Sequence, residues 1–142
     1  MSKGDVFEND FLKLIFNATP IANIADNAGT SPLTNLFVAL HTADPGEAGN
    51  QTTSECTYTG YGRATGARTT GGWTVTNNIV TPVAAINFGL CTAGTNTATF
   101  ASVGTVLSGT GKILWSGAIS PTISISNGVT PQLTTLSTVT ED

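Results

Sequence analysis

The chain has 142 residues and a mass of 14.5 kDa, which suits one domain with a real buried core. Charged residues make up only 10%, and 26 threonines and 16 glycines take their place. With a net charge of -4 and Lys3, Lys13, Arg63, Arg68 and Lys112 as the only basic residues, no phosphate-neutralising stripe can be built, which excludes a nucleic-acid partner.

β-branched threonine suits a pleated, half-wet surface and glycine suits tight turns, so the composition predicts a mainly β domain. No stretch approaches the roughly 18 apolar residues of a membrane span. Met1 to Asp5 lacks the apolar run of a signal peptide, so synthesis in a cytoplasm without export is expected. A surface rich in Thr, Ser, Asn and Gly can lie against a partner with little desolvation of charge.

In chain order, the first element is a helix. Phe7, Phe11, Leu14 and Ile15 within Gly4 to Asn17 fall at i, i+4, i+7 and i+8. Ser2 with Asp5 resembles a capping box, and Asp5, Glu8 and Asp10 lie where the helix dipole favours them. Leu12 and Phe16 lie off that stripe. Two readings stand side by side: a helix packed on its own β-domain, or an arm that docks on another subunit. Ile21, Ile24, Ala25 and Ala28 keep helical spacing after Pro20, and residues 27–32 read as a loop.

From Leu36 the texture turns to β. Leu36 to Thr42 reads as a central strand, followed by a loop with the Asp44-Pro45-Gly46 turn. Thr57 to Thr65 alternates around Tyr58 and Tyr61. Trp73 to Thr76 and Ile79 to Val83 flank an Asn77-Asn78 turn, with Pro82 marking an edge or a bulge. Ala85 to Leu90 is a further strand, Cys91 to Ala98 reads as a connection, and Thr99 to Val103 as a short strand or turn. Lys112 to Ser116 is a strand that Pro121 should break. Ile123 and Ile125 precede an Asn127-Gly128 hairpin turn, and Leu133 to Val139 closes the series. About eight short strands at this spacing predict a β-sandwich or jelly-roll-like domain at 31–142, preceded by an N-terminal helical arm at 1–30.

The search for chemistry is brief. His41 is the only histidine, and no Gly-x-Ser-x-Gly elbow marks a nucleophile. Cys56 and Cys91 match no zinc spacing and are expected to be free and buried. Asp44 and Glu47 share a loop without any dense carboxylate pattern. Arg63 is expected to pair with Glu55 or with a partner's carboxylate. No catalytic residue, cofactor or metal is expected. Trp73, Trp115, Phe37 and Phe88 read as core, whereas Tyr58 and Tyr61 offer contact area at low entropy cost.

Leu36 to Gly49, then Gln51 to Glu55, then Tyr58-Thr59-Gly60-Tyr61-Gly62-Arg63 together resemble a family of small virion proteins of tailed bacteriophages, often labelled tail-fibre-like. Phe88-Gly89 and Gly111 to Ala118, with Pro121 and the Asn-Gly turn, are similar to the back half of that family. The resemblance covers about residues 36 to 139 and implies a structural virion protein, made in the host cytoplasm, with no enzyme activity.

The compact size favours a capsid decoration or cement protein that stabilises the assembled head lattice by binding it. Its expected partners are the major capsid protein or other virion proteins, with self-association into a homo-oligomer and no membrane. Phe7, Phe11, Leu14, Ile15, Tyr58, Tyr61 and Arg63 are the candidate partner-binding residues. The alternative is a small tail or tail-fibre-associated protein. A third reading is a carbohydrate-binding module using Tyr58, Tyr61 or Trp73.

Overall fold

The computed structural model describes residues 5–21 and 33–141. Its elements in chain order are α1 (Asp5–Asn17), β1 (Asn35–His41), β2 (Ala64–Ala67), β3 (Trp73–Thr76), β4 (Ile79–Pro82), β5 (Ile86–Asn87), β6 (Asn96–Gly104), β7 (Ile113–Ile125), β8 (Gln132–Leu133) and β9 (Val139–Thr140). Among the described residues the chain is mainly β, with several antiparallel sheets and one helix near the N-terminus, as the composition implied. The expected Ser2 cap, the helical spacing after Pro20 beyond residue 21, and the loop at 27–32 lie outside the described residues.

Two compact units share the chain. The first gathers Met1–Asn35, Gly66–Ile86 and Leu133–Asp142, and the second gathers Leu36–Thr65 and Asn87–Gln132.

In the first unit, β3, β4 and β9 form a sheet in that order. The β3–β4 hairpin pairs Trp73 with Pro82 and Thr76 with Ile79 around the expected Asn77-Asn78 turn, where Asn77 takes φ 55°. Asparagine tolerates that left-handed backbone better than most residues. β4 is the middle strand, yet Pro82 costs it no ladder bond on the β9 side, because β9 pairs only with Ile79 and Val80.

Helix α1 packs on β3 and β4. Among the described residues its buried apolar side chains are Leu12 and Phe16, both 0% exposed, and not Phe11, Leu14 and Ile15 of the stripe that the spacing picked out. Phe11, Leu14 and Ile15 are half-buried. A 13-residue helix with apolar side chains on two sides offers two candidate faces, and the Trp73 ring selects one of them. Phe16 meets that ring edge-on at 5.1 Å, and the Asn17 amide donates to the Trp73 carbonyl at 3.0 Å.

The helix has no basic residue in its last turn. Arg68 supplies the missing cation from the segment after β2. It donates to the carbonyls of Ile15 at 2.5 Å and Leu14 at 2.8 Å, two groups that helix geometry leaves unpaired. The same guanidinium holds the Leu33 carbonyl at 2.6 Å.

The second unit is built on a sheet of order β2-β1-β6-β7. β1 and β6 run antiparallel, with Phe37 opposite Gly104 and His41 opposite Phe100. Leu36, Val38, Ala39, Leu40 and His41 are all buried, as a central strand requires.

Three expectations change here. The Thr-, Gly- and Asn-rich run before Thr99 is not all connection, because β6 already begins at Asn96 and Asn96 pairs with Ile125. Pro121 does not break the last long strand. The pairing jumps from Ala98–Ile123 to Phe100–Ala118, so residues 119–122 bulge out of register, and a proline without an N–H sits there at no cost in ladder bonds. Tyr58 to Arg63, expected to alternate as a strand, is irregular backbone, and its side chains show why.

Candidate functional site

The sequence singled out Tyr58-Thr59-Gly60-Tyr61-Gly62-Arg63, and the structure places this segment along β1. The Cys56 N–H donates to the Leu40 carbonyl at 2.9 Å, and the Leu40 N–H donates to the Tyr61 hydroxyl oxygen at 3.1 Å. Tyr61 in turn donates its hydroxyl proton to Glu55 Oε1 at 2.9 Å. Burial pushes the Tyr61 hydroxyl far above its ordinary pKa, so it remains a donor at any physiological pH.

Arg63 completes the cluster. Its Nε reaches Glu55 Oε1 at 2.7 Å and its Nη2 reaches Glu55 Oε2 at 2.8 Å, a two-pronged pair with side chains 2% and 14% exposed. The expected Arg63–Glu55 pairing is therefore intramolecular. The remaining Arg63 donors hold the carbonyls of Val106 at 3.0 Å and Gly109 at 2.8 Å. One side chain thus ties the segment before β2 to the loop between β6 and β7.

Tyr58 is 4% exposed and donates to the Gly89 carbonyl at 2.9 Å. Burial raises its pKa to about 12. Its ring meets Tyr61 edge-on at 5.4 Å, and Tyr61 stacks on Phe88 at 6.4 Å. Gly60, at φ 99°, lets the two backbones cross: a Cβ there would lie 2.1 Å from the Leu90 carbonyl oxygen, and one on Gly89 would lie 1.7 Å from the Gly60 oxygen. The Tyr-Thr-Gly-Tyr-Gly-Arg and Phe-Gly motifs are two halves of one internal joint.

Gln51 forms a second joint. Fully buried, it donates Nε2–H to the Phe37 carbonyl at 3.2 Å and accepts the Val106 N–H at 3.1 Å. Gly104 and Gly111 flank it, and a Cβ on either would come within 2.1 Å of its carboxamide. A carboxamide bonded at both ends cannot swing aside, so neither position has room for a side chain.

His41 and Ser102 sit 2.8 Å apart, Nε2 to Oγ, a distance at which a catalytic pair would also sit. They are 0% and 2% exposed, and the other ring nitrogen is bonded to the Thr53 carbonyl at 2.8 Å. That carbonyl only accepts, so Nδ1 carries the proton and Nε2 accepts from the serine hydroxyl. Burial lowers the His41 pKa, mainly through desolvation. The arrangement is a neutral, structural imidazole that bonds the loop after its strand.

A pH effect follows. The unfolded chain takes up a proton on this histidine below the ordinary value of 6.5, whereas the folded chain resists it. Its contribution to stability is present above pH 6.5 and is lost as the pH falls toward the lowered folded-state pKa. The difference in unfolding free energy between the native chain and His41→Gln should shrink on going from about pH 7.5 to pH 5. A difference independent of pH in denaturant titrations would contradict it.

Cys56 and Cys91 are free and buried, as expected. Burial, helped by the nearby Glu55 charge, pushes the Cys56 thiol up to about 11, so it is no nucleophile at neutral pH. Trp73 is core at 3% exposed and rests over Gly66, where a Cβ would lie 2.4 Å from its ring. Buried Tyr58 and Trp73 offer no sugar-stacking platform.

Of the other candidate partner-binding residues, Phe11, Leu14 and Ile15 are half-buried on α1, and the side chain of Phe7 lies outside the described residues. Sequence reasoning missed Gln51 and Arg68 as organising residues. The signal available for Gln51 was a polar side chain between two glycine-bearing strand ends, which becomes legible only with the register known.

Among the described residues, the second unit also carries an open cleft. It measures about 380 Å³ and is lined by Asp44, Glu47, Phe100, Trp115 and Ser116 among others. Asp44 also accepts the Gly46 N–H at 2.9 Å. Among the described residues, no three His, Cys, Asp or Glu side chains gather as a metal site.

The polar groups that the sequence offered as functional are spent on holding loops to strands, which is the design of a structural part. Comparison with protein-family models agrees in kind: this is a small structural protein of the tailed-phage virion, with a fibre label. The chain belongs to the family described as Podophage GP4 fiber I protein gp80, whose model matches residues 5–140. The match takes in α1, which the resemblance read from the sequence had left out. A search of the curated proteins gives no match.

Proposed function

We propose that this chain is a small structural component of the phage tail-fibre apparatus, acting by protein–protein contact. The observation that carries the reading is the family match over residues 5–140, since the fibre description then bears on the helix and both units. The internal use of Arg63, Glu55, His41 and Gln51 supports it, because such joints give a small domain fixed loops to present to neighbours.

Head decoration remains the competing reading, favoured by a surface with few charges. Copy number separates the two. A tail component follows the tail's low rotational symmetry, on the order of ten copies, whereas a cement protein follows the head lattice at on the order of hundreds. Densitometry of purified virions, with the chain located in particle density, should give the low number at the tail. A count in the hundreds, with density on the head, would replace the fibre reading with decoration.

A further inference from the structure

We propose that Asn127 is a deamidation site that the fold keeps closed, through the hydrogen bond between Gly128 and Cys91. Asn127-Gly128 is the only Asn-Gly pair in the sequence, and Asn127 is exposed. The reaction needs nothing but water. The Gly128 amide nitrogen loses its proton and attacks Asn127 Cγ, the Cγ–Nδ2 bond breaks, and ammonia leaves with that proton. Water then opens the five-membered succinimide ring. Opening at Cγ leaves aspartate, and opening at the backbone carbonyl leaves isoaspartate, with the chain rerouted through the side chain. Glycine obstructs this attack least, since it carries no Cβ. A structural protein of the virion is not replaced after release, so the rate of such a step bears on how long the part lasts.

The turn demands that glycine all the same. The Val129 N–H donates to the Ser126 carbonyl at 3.0 Å, and Gly128 takes φ 89°. A bonded four-residue turn with positive φ at its third residue alone is type II. A Cβ on Gly128 would meet nothing within 4 Å, so the glycine is there for its backbone and not for space. Type II geometry sets ψ of Asn127 at about +120°, which turns the Gly128 nitrogen away from the Asn127 side chain. To attack, the peptide between the two residues must flip. Two bonds oppose the flip. The Gly128 N–H donates to the Cys91 carbonyl at 2.8 Å, and the Cys91 N–H donates to the Val129 carbonyl at 2.8 Å. Cys91 is 0% exposed, so the acceptor cannot follow the turn outward. An amide that lost its proton in place would face that carbonyl oxygen as an anion. The turn creates the vulnerable pair and disarms it, wherever in the virion the chain resides.

The test follows Asn127 in the full chain by peptide mass spectrometry, in mildly alkaline buffer, folded and in enough urea to unfold it. The folded chain should convert Asn127 more slowly by about tenfold or more, the factor that one hydrogen bond of ordinary net strength supplies. In urea below the unfolding transition, conversion should rise in step with hydrogen exchange of the Gly128 amide, because both need the same opening. Val129→Pro keeps the reacting pair and removes the donor that closes the turn. With native circular dichroism, this variant should convert faster than the native chain by about tenfold. Equal rates in the folded and unfolded chain, a Gly128 amide that exchanges freely, or a folded Val129→Pro variant as slow as the native chain overturns the proposal. Should that variant not fold, the two measurements on the native chain decide.

Discussion

Replacing Arg63 with methionine should lower the unfolding free energy by about 3–5 kcal/mol, the range for removing one partner of a buried ion pair. Methionine keeps most of the stem volume, so the loss isolates the guanidinium. Three consequences add up. Glu55, with its side chain 14% exposed, keeps a charge whose two strongest donors are gone. The carbonyls of Val106 and Gly109 lose their donors. Tyr61 then competes alone for a carboxylate that it had shared. Chemical denaturation checks the size. The double variant Arg63→Met, Glu55→Gln should be less destabilised than Arg63→Met alone, because the orphaned charge is removed. A loss below about 1 kcal/mol for the single variant would place the pair among ordinary surface ion pairs.

Phe16→Ala should cost about 3–5 kcal/mol in the first unit, the range for truncating a buried aromatic side chain. Phe16 is fully buried and meets Trp73 edge-on. Its loss strips one wall from the indole, so the intrinsic fluorescence of Trp73 should shift to the red as well. Phe11→Ala, on the half-buried stripe, should cost much less. The contrast decides between the two readings of the helix. A docking arm would lose little stability from either change, whereas a helix that closes its own sheet loses most at Phe16. If both variants melt like the native chain, the packing of α1 on β3 and β4 is not what stabilises this unit.

What the residues disclosed in advance follows a physical line. β1 was legible because a buried central strand needs a continuous apolar run, and Leu36 to Leu40 is one. The β3–β4 hairpin was legible because Asn77-Asn78 suits a turn with positive φ. The Arg63–Glu55 pair was legible because few other opposite charges lie near in sequence.

The misses share another cause. Asn96 to Ala98 reads as loop by composition, and only the partner residues Ile123 to Ile125 make it a strand. Pro121 reads as a terminator, until the bulge leaves it nothing to terminate. The buried face of α1 depends on Trp73, which lies beyond any local window. Tyr58 and Tyr61 look like contact surface because their chemistry suits it, and here the contact is with Phe88 and Gly89 of the same chain.

The interleaving of the two units also fixes the order in which their segments are completed as the chain is made. All of Leu36–Thr65 and Asn87–Gln132 has been made before the ribosome reaches Val139, so the second unit can close its sheet while the first still lacks β9. The first unit gains its third strand, β9, only with the last of its segments, after α1, β3 and β4, which already bring Phe16 and Trp73 together. A chain cut after residue 132 would hold every segment of the second unit but lack β9, leaving β4 paired with β3 alone.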